Sequence, residues 1–126
     1  IRFADLQQSD RPSADKISIA VFAADHGVAI EGVSAFPQEV TAQMVMNFLQ
    51  GGAAISVLAK QLHASLEVID VGILSPLSQQ EGLVIHRAGA GTANIAEEPA
   101  MTHQQLEQAL TAGHDAAERA VKKDSD

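Results

Sequence analysis

Ile17-Ser18-Ile19-Ala20-Val21-Phe22-Ala23-Ala24-Asp25-His26-Gly27-Val28 is the stretch that decides how this chain folds. Its first eight residues are almost continuously apolar, and then the chain turns abruptly polar. A strand covered on both faces has no solvent side to mark by alternation, so such a run predicts a strand of a parallel α/β sheet. Asp25-His26-Gly27 then falls at the carboxyl end of that strand, where open parallel sheets bind their ligands.

Outward from this strand the chain keeps switching period. Pro37 suits a first helical position, where its missing N–H costs little. Val40, Met44 and Phe48 follow at i, i+4 and i+8, with Val45 and Leu49 widening the stripe. Gly51-Gly52 closes that helix, and a second follows with Ile55, Leu58, Ala59 and Leu62 on one face. Leu66 to Ile73 reads as a second strand, and Leu83-Val84-Ile85-His86 as a short third one opening into Gly89-Ala90-Gly91-Thr92-Ala93-Asn94. Thr102 with Gln105 is a capping-box pattern, starting a helix whose apolar stripe is Leu106, Leu110, Gly113, Ala117 and Val121. Residues 1–16 show no sustained period and contain Ser9-Asp10-Arg11-Pro12-Ser13, which predicts a loop-like leader. The order predicts one α/β domain over residues 1–126, with a largely parallel sheet and flanking helices. Because no strand follows the last helix, the unit is expected to be incomplete and prone to self-association.

Composition excludes several functions. Eight basic residues stand against 16 acidic ones, a net charge of -8, so a basic face for nucleic acid or anionic membrane is hard to build. Aromatic residues make up 3% of the chain, with neither Trp nor Tyr, which removes stacking platforms for single-stranded nucleic acid. Without cysteine there are no disulfides and no thiolate metal sites. No apolar run approaches the ~20 residues of a membrane span and no signal peptide is visible, so a cytoplasmic protein is expected.

Each candidate site residue has two readings. Asp25 and His26 join a carboxylate to an imidazole, but neighbours in a strand point to opposite faces, so a dyad does not follow from adjacency. A loop-fixing role and a substrate contact both remain open for them. Metal binding by Asp25, His26 and Glu31 is conceivable on ligand chemistry, but no two share a helical face, and no metal or cofactor is expected. Gly89-Ala90-Gly91-Thr92 could cradle an anion, yet it is not a dinucleotide fingerprint. Arg87, the one basic residue between Lys60 and Arg119, fits either an anion contact or an ordinary ion pair. Phe36, Met44 and Phe48 fit either core packing or an apolar slot for a flat ligand.

The words of the sequence go further than its periods. Ala24-Asp25-His26-Gly27-Val28, Glu31-Gly32-Val33-Ser34 and Pro37-Gln38-Glu39-Val40-Thr41 resemble the nicotinate-nucleotide:dimethylbenzimidazole phosphoribosyltransferase family. Asn47-Phe48, Gly51-Gly52, Val68-Ile69-Asp70-Val71-Gly72, Gly91-Thr92-Ala93-Asn94-Ile95 and Glu98-Pro99-Ala100-Met101 continue the resemblance in order. It implies a Rossmann-like fold and a homodimer. It also implies transfer of phosphoribose from nicotinate mononucleotide to 5,6-dimethylbenzimidazole, giving α-ribazole 5′-phosphate for the lower ligand of cobamides. By matched position, Phe36 and Met44 would line the benzimidazole pocket, while Asp25, His26 and Ser34 would shape the loop beside it. The family's catalytic glutamate lies in a later part of the sequence. No residue of this chain inherits that role, Glu31 and Glu39 included, and the chain alone is expected to be inactive. The rival expectation is a free-standing small-molecule binding or assembly module without catalysis.

Overall fold

The computed structural model describes residues 2–123 and 125–126; Ile1 and Asp124 lie outside the described residues. Three strands, β1 (Ser18–Ala24), β2 (Ser65–Gly72) and β3 (Leu83–Ile85), form one parallel sheet in the order β1-β2-β3. Ser18 sits opposite Ser65, Phe22 opposite Ile69, and Val68 opposite Leu83. The α/β class and the parallel sheet expected from the apolar runs are therefore present. The covering of β1 is a departure: β2 is buried through Val68, Ile69 and Asp70, whereas β1 stands at the edge of the described sheet and its Phe22 is half exposed. An apolar run identifies a strand of a parallel sheet, but it does not say whether a neighbour lies on both sides.

Two helices, α2 (Glu39–Leu49) and α3 (Ala54–Gln61), connect β1 to β2. The helix α2 starts two residues after Pro37, whose carbonyl accepts the N–H of Val40 at 3.1 Å, so the proline initiates the first turn from outside it. At its other end Gly51 takes φ +81°, and the N–H groups of Gly51 and Gly52 return to the carbonyls of Phe48 and Asn47. This paired closure needs a left-handed residue, which glycine supplies without strain. Glu39–Gln61 together are long and apolar enough to cross a membrane, but the glycine pair divides them into helices of 11 and 8 residues. Val45 of α2 packs with Ala23, Val68, Ile73 and Leu83 to make the core, with Phe48, Leu49 and Ala42 against its margin.

The last helix, α4 (His103–Lys122), lies across the other face. Thr102 Oγ1 accepts the N–H of Gln105 at 3.2 Å while Gln105 Oε1 accepts the N–H of Thr102 at 2.8 Å, the reciprocal cap expected from the sequence. The stripe expected to face the core does not. Leu110 is 66% exposed, whereas Ala112 and Ala116 are buried. The alanine side is the one turned to the sheet, and Arg119 reaches Glu67 of β2 with two nitrogens at 3.1 Å. That double contact raises the Arg119 guanidinium above its ordinary value. Arg119 keeps its charge at any ordinary pH.

The leader is also different from the expected loop. Arg2–Gln7 form a short helix, α1, with no buried residue. Gln8 at φ +49° ends it, and the N–H of Ser9 returns to the carbonyl of Ala4. Six residues are too few for a helical period to emerge from the sequence. Loop structure holds for residues 9–16, and Asp126 binds it: its carboxylate accepts from the N–H groups of Asp15 and Lys16 and from Ser13 Oγ.

Candidate functional site

The carboxyl ends of the strands meet around Gly72. Its carbonyl accepts the N–H of Asp25 at 3.0 Å and that of Gly91 at 2.9 Å. The N–H of Thr92 then reaches the carbonyl of Asp25 at 3.1 Å, and the N–H of Gly27 reaches the carbonyl of Thr92 at 3.0 Å. The segments that follow β1 and β3 thus pair with each other above the end of β2. Glycine is required for this approach, since a Cβ on Gly27 would stand 2.6 Å from backbone atoms of Ala93 and Asn94.

Beyond this junction, residues 27–31 form a 3-10 turn, followed by a loop that leads to α2. Glu31 Oε1 accepts Asn94 Nδ2 at 2.6 Å and fastens the turn to the segment after β3. Between this loop, the end of β1 and the side of α2 lies a cleft of about 490 Å³. Asp25, His26, Ser34, Phe36 and Met44 all line it, so five of the six residues singled out from the sequence come together. Arg87 lies outside it. One of its nitrogens donates to the carbonyl of Ile73, and another stands 3.8 Å from Oδ2 of the fully buried Asp70.

The five residues do different work. Ser34 Oγ bonds both the N–H and the carbonyl of Phe36, at 3.2 and 3.0 Å, and so fixes the backbone from which the Phe36 ring projects. That ring is 71% exposed, too open for a core residue, and Met44 is 37% exposed. Asp25 is buried and turned away from His26: Oδ1 accepts Thr41 Oγ1 at 2.6 Å and Oδ2 accepts the N–H of Leu74 at 2.8 Å. His26 is exposed, and its carbonyl accepts Gln38 Nε2 at 2.7 Å. Asp25 and His26 therefore form no dyad, as strand geometry required.

Phe22, Val33 and Phe48 complete the apolar lining, and Thr41 and Gln38 hold the walls together. Reading the sequence did not single out Thr41 and Gln38, whose signal was a polar residue at or just before the start of an otherwise apolar stripe. Among the described residues no three His, Asp or Glu side chains gather to hold a metal ion. An apolar cleft with few polar groups binds a flat, largely apolar ligand by burial and orients it with those groups.

Fold and site define an α/β domain with an apolar cleft at the carboxyl ends of its strands. Comparison with known proteins gives the family. The phosphoribosyltransferase family DBI_PRT matches residues 1–126. A nicotinate-nucleotide--dimethylbenzimidazole phosphoribosyltransferase from Pseudomonas putida KT2440 is 53% identical over 123 residues, covering 98% of this chain and 35% of its own length. One from Ectopseudomonas mendocina is 58% identical over 120 residues, covering 95% of this chain and 34% of its own. The crystal structure of CobT from Thermus thermophilus superposes with a TM-score of 0.93 at 48% identity, over 98% of this chain and 37% of that one. The chain belongs to the DBI_PRT phosphoribosyltransferase family. It spans about a third of the length of the curated relatives it matches.

Proposed function

We propose that this chain supplies the base-binding part of an enzyme that transfers phosphoribose from nicotinate mononucleotide to 5,6-dimethylbenzimidazole, in the synthesis of the cobalamin lower ligand. The observation that carries the reading is the cleft: an apolar hollow lined by Phe36 and Met44, at the strand ends, in a chain 53% identical to an enzyme named for that base. A planar bicyclic base with two methyl groups is mostly apolar, and its burial against such walls is the main source of affinity.

In the reaction, a ring nitrogen of the base attacks C1′ of the ribose. The bond from C1′ to nicotinate breaks as the new C–N bond forms, and the N–H proton of the base leaves to a carboxylate. The part of these residues is to hold the ring plane and exclude water from its faces. Asp25 is engaged on both oxygens, and Glu31 is tied to Asn94, so neither is poised to take that proton. A carboxylate outside these residues is part of the proposal, as are a cytoplasmic homodimer and small molecules as the only substrates. The net charge of -8 agrees with a protein that does not use nucleic acid.

A chimaera tests this directly: the chain replaces the matching segment of the Pseudomonas putida relative, and α-ribazole 5′-phosphate and nicotinate are measured. Formation of both in equal amounts is expected. A folded chimaera that forms neither would overturn the proposal and leave a binding module as the better description.

A further inference from the structure

The two walls of the cleft come from different parts of the chain, and one buried carboxylate joins them. Asp25 directly follows β1 and is only 3% exposed, with both oxygens taken by Thr41 and Leu74. Thr41 stands in the first turn of α2, three residues before Met44 and so on the same side of the helix. That helix has no side-chain cap, because Gln38 at its N-cap position is itself helical and makes no capping hydrogen bond. The Asp25 carboxyl group meets the first turn through the Thr41 hydroxyl, beside the positive pole of the helix. The bond from Gln38 Nε2 to the carbonyl of His26 straps the same two walls a second time.

We propose that Thr41 and Asp25 are a positioning pair that fixes how far α2 stands from the end of β1, and so sets the width of the slot for the planar base. The inference rests on the proposed function. A slot matched to a flat ring tolerates little movement, since a gap of 0.5–1 Å already forfeits roughly a quarter to a half of the contact attraction. Neither side chain is needed to touch the base, because the Thr41 hydroxyl is directed to Asp25 and the Asp25 carboxylate is fully engaged.

The test uses the chimaera. Thr41→Val removes the hydroxyl at nearly constant volume, and Thr41→Ser keeps it. Thr41→Val should raise the KM for 5,6-dimethylbenzimidazole about tenfold, as a wall displaced from contact distance predicts. The kcat and the KM for nicotinate mononucleotide should stay near the parent values. Thr41→Ser should return the base KM most of the way. If Thr41→Val does not fold, Thr41→Ala, a better helix former, carries the same expectation. An unchanged base KM without the hydroxyl, or an equal rise in Thr41→Ser, overturns the positioning role while the proposed function stands. A folded parent chimaera without activity overturns the proposed function, and the positioning role with it.

Discussion

The N–H of Gly27 meets the carbonyl of Thr92 at 3.0 Å, with no room for a side chain between the two segments. This contact joins the ends of β1 and β3 above Gly72 and forms the base on which the cleft is built. A methyl group at position 27 would stand 2.6 Å from backbone atoms, which cannot rotate aside as a side chain could.

Gly27→Ala is therefore expected to destabilise the fold by about 1–3 kcal/mol, the range for forcing extra volume into a packed site. Denaturant unfolding measures it. A loss below about 0.5 kcal/mol, typical of surface substitutions, would mean that the junction opens easily.

The orientation of α4 makes a paired prediction. Leu110 is 66% exposed, so Leu110→Ala should change stability by no more than about 0.5 kcal/mol. Ala112 is fully buried, and Ala112→Leu should cost about 1–3 kcal/mol. Were the leucine stripe the packed one, Leu110→Ala would instead cost about 2–5 kcal/mol.

Asp126 gives the fold a defined acid dependence. Backbone N–H groups of Lys16 and Asp15, with Ser13 Oγ, hold its carboxyl below the usual value of 3.8. A lowered folded pKa means that the stabilisation is complete above pH 3.8 and is lost as pH falls through the lowered value. Parent and Asp126→Asn should thus differ in melting temperature at pH 6, and the difference should close on acidification below pH 3.8. A difference that stays constant through that range would show that the Asp126 contacts do not depend on its charge.

What the sequence disclosed and what it hid have physical causes. The β1 and β2 runs, the α2 stripe from Val40 to Phe48, the glycine closure at Gly51 and the Thr102 cap were all legible, because each is a local pattern. The inward face of α4 was not, because alanines 112 and 116 form a second stripe as regular as the leucines, and only the sheet chooses between them. The cleft was half legible. Phe36 and Met44 were found by matched position and spacing, but their exposure depends on a loop whose path is set by Ser34, Glu31 and Asn94. The two readings of Arg87, an anion contact or an ion pair, were left open by the sequence, since its partner is not local. Asp70, which it approaches, lies 17 residues away on β2.

The measurement that tests the account most directly compares base binding with stability for Phe36→Ala and Met44→Ala in the chimaera. Burying a flat base against Phe36 and Met44 should make the loss of either worth on the order of 1–3 kcal/mol of ligand binding. The predicted result is a raised KM for 5,6-dimethylbenzimidazole with a nearly unchanged melting temperature, since Phe36 is 71% exposed and supports little of the core. An unaltered base KM accompanied by a large fall in melting temperature would contradict it and return both side chains to structural packing.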